Sequence, residues 1–113
     1  MTTHKIEKQD LQHYLDHFSS VMPTQLVEIE VTGLELGDQI EAEWLPLTGV
    51  SYDPKSDLVA INLDDKLEHN IRKPQAIYVE EDDKGVSSIE ITCAEKHKHI
   101  LKLKDPVALP ASQ

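Results

Sequence analysis

The feature that most constrains the fold is an unbroken run of strand signals from Ile40 to Leu63, which reads IEAEWLPLTGVSYDPKSDLVAINL. Apolar and polar residues alternate over 40–44 and again over 59–63, and this period of two is typical of strands with one buried face. Between these parts, the segment DPKS at 53–56 favours a type I turn, because Asp accepts hydrogen bonds from nearby amides and Pro presets the backbone dihedral. Pairing Tyr52 with Asp57 across this turn predicts that Val50 lies opposite Val59.

An amphipathic helix is predicted over residues 7–22. Its apolar residues recur at the three- and four-residue spacing of one helical face: Leu11, Tyr14, Leu15, Phe18 and Met22. Asp10 suits the positive end of the helix dipole, and Pro23 ends the helix. We therefore expect this helix to cover the apolar face of a sheet.

The segment after the helix predicts a strand that pairs with the 40–44 strand. Val27, Ile29 and Val31 alternate with polar residues, and a two-residue turn at 37–38 pairs Leu36 with Gln39. The same register places Trp44 opposite Val31, buried beneath the helix. In that position Trp44→Ala is expected to cost ~3–5 kcal/mol through cavity formation.

A short helix is predicted near 64–73. Asp64 provides a capping residue, Leu67 and Ile71 share one helical face, and Pro74 disfavours continuation beyond residue 73. A hairpin around Gly85 then pairs Val79 with Ile89, and Ile77 with Ile91.

A last strand over 97–103 places Leu101 and Leu103 on the core face, and residues 105–113 are interpreted as a tail. The complete prediction is one α+β domain over 1–113, with an N-terminal amphipathic helix at 7–22 packed on an antiparallel sheet. This sheet occupies 25–104, has about six strands, and carries the short helix between strands three and four.

The chain resembles a bacterial family of small uncharacterised proteins, a domain of unknown function, over almost its whole length. The resemblance rests on EAEWLPLTGVSYDPKSDLVAINL, with the pattern EAEWLPLxGxSYDPKxD, and on HNIRKPQAIYVEE, SSIEI and LKDPVALP. A shorter likeness, over Tyr52 to Ile91, is to another small bacterial domain of unknown function. Neither resemblance implies an activity, so neither supplies functional residues. The segment KHKH at 96–99 departs from the Asp-Gly turn that the family has at this place.

Composition excludes several partners. The net charge of −10 repels nucleic-acid phosphates and anionic membranes, and the longest apolar run is far shorter than the ~20 residues of a transmembrane helix. Cys93 is the only cysteine, and it is in phase with Ile89 and Ile91, which indicates a buried thiol. The N-terminus lacks the apolar core of a signal peptide, and we therefore expect a cytoplasmic protein.

Two histidine pairs have spacings that suit a metal ion. His13 and His17 are four residues apart, which aligns them on one helical face, and His97 and His99 share one face of a strand. The alternative for both pairs is an ordinary surface role, because the sequence supplies no third ligand. The sequence indicates no cofactor.

The composition and motifs favour a non-enzymatic protein that binds another protein or itself. A metal-binding protein is the alternative, and a small enzyme is disfavoured because no nucleophile and base can be paired. A homodimer is expected if the glutamates of the outer strand faces and the lysines of the last strand lie on separate parts of the surface. These residues are Glu28, Glu30, Glu41 and Glu43 on one side, and Lys98, Lys102 and Lys104 on the other, with Val107 and Leu109 as apolar contacts.

Overall fold

The computed structural model describes residues 2–34, 37–64 and 66–109. Over these residues one helix accompanies eight strands of a single antiparallel sheet, in the order β1-β6-β7-β8-β2-β3-β4-β5. The elements are β1 (Thr2–Ile6), α1 (Lys8–Val21), β2 (Gln25–Gly33), β3 (Gly37–Asp53), β4 (Leu58–Leu63), β5 (Leu67–Arg72), β6 (Pro74–Asp82), β7 (Gly85–Cys93) and β8 (Lys98–Val107).

The core lies between α1 and the inner face of the sheet. Three helix residues, Leu11, Leu15 and Phe18, are fully buried, and they face the alternating apolar residues of the strands. The helix packs mainly against β3, where the Ser19 hydroxyl accepts a hydrogen bond from the Val50 amide at 2.9 Å. The sheet curls around this core, since β5 approaches β7 from across the inner face.

The predicted α+β fold class is wrong, because the described chain is mostly sheet with a single helix, and this helix follows a first strand rather than beginning the fold. The sheet has eight strands rather than about six, and the segment predicted as a short helix is the edge strand β5. Leu67 and Ile71 are four residues apart, and residues at this spacing share a face in a strand as well as in a helix. Asp64 does not cap a helix; it lies in a tight turn with a φ of 48°, and its amide donates to the Pro46 carbonyl.

The first strand was also absent from the prediction. The segment TTHKI precedes the helix and pairs with β6 at an edge of the sheet. Because four of its five residues are exposed, it carries no apolar alternation that a sequence pattern would reveal. The predicted helix over 7–22 is present as α1 over Lys8–Val21.

The predicted pairing of β2 with β3 is wrong, because Val31 pairs with Gln39 rather than with Trp44. Gly37 and Asp38 pair with Gly33 and Thr32 as strand residues, which excludes the predicted two-residue turn at 37–38, and the predicted partner Leu36 lies outside the described residues. Two irregularities in the β2–β3 ladder, on either side of Ile29, shift the register further. Trp44 falls within the first of them.

Other pairings are closer to prediction. Val50 pairs with Ile61 rather than with Val59, a shift of two residues that keeps every side chain on its predicted face. The hairpin around Gly85 is confirmed, with Ile77 opposite Ile91 and Val79 opposite Ile89.

Burial at the end of the chain is partly as predicted. Leu101, Leu103 and Cys93 are buried as expected. β8 continues to Val107, which is only 1% exposed, so the first residues of the predicted tail belong to the sheet.

Candidate functional site

The outer face of the sheet carries a continuous band of polar and aromatic side chains. Because side chains alternate between the two faces, residues paired across neighbouring strands point to the same side. One row across the sheet runs through Thr3, Glu80, Ser88, Lys102 and Glu28. The next row runs through Lys5, Tyr78, Glu90, Ile100 and Glu30.

Trp44 stands at one side of this band and is 41% exposed. Between the pairs Val27–Leu45 and Ile29–Ala42, β3 has one residue more than β2, and Trp44 lies in the resulting bulge. Its φ is 49°, in the left-handed region that a bulky side chain rarely adopts. The bulge therefore turns the indole away from the core, and the predicted burial of Trp44 beside Val31 is wrong.

Because the backbone at Trp44 is left-handed, glycine is expected to be more stable than alanine at this position, the reverse of the usual order in a strand. In a strand interior glycine is ordinarily less stable than alanine by about 0.5–1 kcal/mol, but a left-handed φ penalises alanine and not glycine. We expect Trp44→Gly to be more stable than Trp44→Ala by about 1 kcal/mol, measured by urea denaturation of both variants.

The same two variants test how deeply Trp44 is buried. For each variant the free energy of unfolding is expected to be at most about 2 kcal/mol lower than that of the wild type, since much of the indole is already in water. A loss above 3 kcal/mol in Trp44→Gly would place the indole in the core after all.

A groove of about 710 Å³ lies on the outer face beside Trp44. Its volume is within the usual range of sites that bind small ligands. It combines aromatic, aliphatic, hydroxyl and charged side chains from five strands: Thr3, Trp44, Tyr78, Glu80, Ser87, Ser88, Glu90, Ile100, Lys102 and Leu103. These residues come from β1, β3, β6, β7 and β8, which only the folded sheet brings together.

The single cation of the groove is already paired. The Lys102 ammonium lies 3.0 Å from a Glu30 carboxylate oxygen and 3.6 Å from a Glu28 oxygen. The hydrogen bond to Glu30 is the main reason that the pKa of Lys102 is raised, so the ammonium stays charged at neutral pH. β8 and β2 are neighbours in the sheet, and Lys102 of the last strand therefore meets two of the outer-face glutamates, Glu28 and Glu30, within one chain.

The other carboxylates of the groove have no such partner. Glu80 accepts a hydrogen bond from the Ser88 hydroxyl at 3.2 Å. Among the described residues, neither Glu80 nor Glu90 lies within ion-pair distance of a lysine, arginine or histidine. The groove therefore presents two carboxylates that a cationic group could neutralise.

The two histidine pairs that the sequence indicates lie in different parts of the structure. His13 and His17 lie on α1, on the opposite side of the sheet from the groove. His97 packs against Gly33, whereas His99 faces inward and contacts His69 of β5. Within residues 2–34, 37–64 and 66–109, His, Cys, Asp and Glu form no group of three or more that could hold a metal ion.

His69 and His99 form a contact that the sequence does not reveal. Nε2 of His69 and Nδ1 of His99 are 2.8 Å apart, and the ring centroids are 5.0 Å apart. Burial lowers the pKa of both rings, that of His99 to about 4. The pair joins β5 to β8 across the inner face, and three strands lie between them in the sheet.

Comparison with known proteins identifies the family. The chain belongs to a family of unknown function, DUF5335, which matches residues 2–112. It is also 40% identical over 110 residues to an "Uncharacterized protein" of the bacterium Aquifex aeolicus, and this match covers 97% of the chain and 99% of the relative. The predicted resemblance to a bacterial family of uncharacterised proteins is thus confirmed.

Two further findings concern solved structures and the possibility of a membrane-spanning helix. No solved structure matches the chain. In the part of the chain that the structure describes, α1 falls short of the length and apolar content that crossing a membrane requires.

Proposed function

We propose that the protein is a non-enzymatic binding protein that recognises a partner protein through the groove beside Trp44. The observation that carries this proposal is the position of Trp44, whose indole is held out of the core by a left-handed backbone. A backbone in this region costs about 1–3 kcal/mol, and such strain is concentrated at functional sites. Tryptophan is also among the residues that contribute most to binding energy at protein interfaces.

The chemistry of the groove supports binding rather than catalysis. Its two serine hydroxyls are engaged with Glu80, since Ser88 donates to the carboxylate and Ser87 donates to the main-chain carbonyl, each at 3.2 Å. The hydrogen-bonded imidazoles of His69 and His99 face the opposite side of the sheet. Neither imidazole of this pair is therefore placed to act as a base for a hydroxyl of the groove.

A partner other than a second copy of the chain fits the groove better. The lysine that would attract an acidic face of a second copy is already paired with Glu28 and Glu30. Val107, expected as an apolar contact of a dimer, is buried within the chain. We place this binding in the bacterial cytoplasm, where the buried thiol of Cys93 remains reduced.

Photo-crosslinking in bacterial cells tests this proposal. A photoreactive phenylalanine analogue is introduced at Ser87, within the groove, and in a separate protein at Gln12, which is exposed on α1. The proposal predicts a discrete crosslinked partner from position 87 that is absent from position 12. The adduct should also disappear when Trp44→Gly is added.

Two results would count against the groove as a binding surface. One is the same set of adducts from both positions, and the other is an adduct from position 87 that persists undiminished in Trp44→Gly. Circular dichroism of each purified protein checks that the sheet is intact, so that unfolding is not mistaken for a loss of binding.

A further inference from the structure

We propose that the groove takes an arginine side chain from an extended, positively charged segment of the partner protein. This inference rests on the proposed function and names the chemistry of the ligand. The guanidinium stacks on the Trp44 indole while its N–H groups pair with the free carboxylates of the groove.

The charge of the groove favours a cation. Glu80 and Glu90 line it without a cationic partner among the described residues, and Lys102 is held by two further glutamates. Lys5 stands on the same face opposite Tyr78 but does not line the groove. The net charge of −10 attracts a basic segment over longer distances and repels both nucleic acid and a second copy of this chain.

The shape and aromatic content of the groove favour arginine over lysine. An arginine side chain has an apolar stem and a flat charged end, which matches a site that combines Ile100 with the aromatic side chains of Trp44 and Tyr78. Tryptophan is the most favourable aromatic partner for a cation. A planar guanidinium can also donate to a carboxylate while it stacks on a ring, which the compact lysine ammonium cannot do.

The protein carries its own reporter for this interaction. Trp44 is the only tryptophan of the chain and stands at the groove, so its fluorescence reports on the groove alone. The probes are acetylated and amidated glycine pentapeptides with two arginines, two lysines, two citrullines or two glutamates. Citrulline has nearly the shape of arginine without its charge, and the comparison between them therefore isolates the cation.

We expect the Trp44 fluorescence to change as the arginine peptide is added and to reach a plateau when the groove is saturated. The lysine peptide should bind more weakly, and the citrulline peptide about tenfold more weakly or not measurably. Raising the salt concentration should weaken binding of the arginine peptide, because the carboxylates of the groove are accessible to ions.

Variants measured by calorimetry locate the site. Glu90→Gln should weaken the arginine peptide about tenfold, since it removes a carboxylate of the groove and keeps the shape of the side chain. The matched control is Asp16→Asn, which removes one negative charge from the exposed face of α1 and should leave the affinity within about twofold. Circular dichroism checks that both variants are folded.

The outcomes separate this inference from the proposed function. Equal binding of the arginine and citrulline peptides, or preferred binding of the glutamate peptide, would overturn the inference. The inference also fails if none of the peptides binds. In each case a crosslink from position 87 that depends on Trp44 would leave the proposed function standing. An equal effect of Glu90→Gln and Asp16→Asn would show general charge attraction and would likewise overturn the assigned site.

Discussion

Gly85→Ala is expected to destabilise the protein by roughly 2–5 kcal/mol, because both the backbone and the surroundings exclude a side chain. Gly85 has a φ of 131°, which L residues rarely adopt. A Cβ at this position would lie 2.5 Å from the carbonyl carbon and oxygen of Val107 and 2.6 Å from the Ala108 nitrogen. These are main-chain atoms at the end of β8, so no side-chain rotation relieves the collision.

Gly37→Ala is the matched control for the backbone contribution. Gly37 also has a positive φ, of 68°, but a Cβ there would meet no atom within 4 Å. It should therefore cost only about 1 kcal/mol, the strain of a left-handed alanine without a collision. Urea denaturation of both variants measures the difference. Equal losses would mean that Val107 does not press on Gly85 in solution.

The atoms that crowd Gly85 belong to the end of β8, which is predicted from the sequence to be a tail outside the sheet. Asp105-Pro106 has the residues that usually end a strand, yet β8 continues through it and buries Val107 beside Val86. Proline is tolerated there because it lies near the end of the strand, where one hydrogen bond of the ladder can be omitted. Asp105-Pro106 therefore favours the end of a strand locally, but the packing of Val107 against β7 keeps the strand in the sheet.

The hairpin of β6 and β7 could be predicted because its information is local. Gly85 marks the turn, and a bulge next to it, between Glu80 and Glu81, places Ile77 opposite Ile91 in the observed register. The β2–β3 register could not be obtained in this way. Residues 37–38 belong to the strand rather than to a turn, and the bulge at Trp44 depends on backbone conformations that alternation of apolar residues does not record.

The candidate site depends on contacts between distant parts of the chain. The groove joins Thr3 of the unforeseen strand β1 to Trp44 and Lys102. His69 and His99 are 30 residues apart, and they meet only because the sheet curls. Exposed polar residues on strand faces are common, so the pattern alone did not distinguish Glu90 or Tyr78 from other surface residues. An unexpected exposed tryptophan is visible only once the fold is known.

The contact of His69 with His99 leads to the second large effect, a loss of stability in mild acid. The two rings share one hydrogen bond at 2.8 Å, which requires one nitrogen to donate and the other to accept. If both rings become protonated, two donors and two positive charges face each other. The contact that joins β5 to β8 is then repulsive, so unfolding becomes more favourable as protons bind.

The pH range of this effect follows from the pKa values. Burial, followed by the nearby rings of His69 and His97, lowers the pKa of His99 from its ordinary 6.5 to about 4. Burial also lowers the pKa of His69, opposed by the Glu41 carboxylate. Between pH 6.5 and about 4 the unfolded chain therefore binds more protons than the folded chain. The stability is therefore complete above pH 6.5 and declines as the pH falls towards about 4.

Two aspartates of the 53–57 turn have a lowered pKa. Hydrogen bonds from Lys8 and Tyr52 hold the pKa of Asp57 below its ordinary 3.8. Hydrogen bonds from Ser56 and the Lys55 amide do the same for Asp53. The contribution of these two groups is lost mainly as the pH falls through and below 3.8, which is lower than the range over which the contribution of His99 declines.

We expect a loss of about 2 kcal/mol between pH 7 and pH 4.5, measured as the free energy of unfolding in urea at each pH. One pKa unit corresponds to about 1.4 kcal/mol, and screening by water reduces the full effect for a half-buried ring. His99→Gln should flatten this decline, because Gln does not titrate, although it will lower the stability at pH 7. His69→Gln, which removes the other ring of the same contact, should flatten the decline as well. A decline that is equally steep in His99→Gln would show that the acid sensitivity arises elsewhere and that the imidazole pair does not hold the curled sheet together.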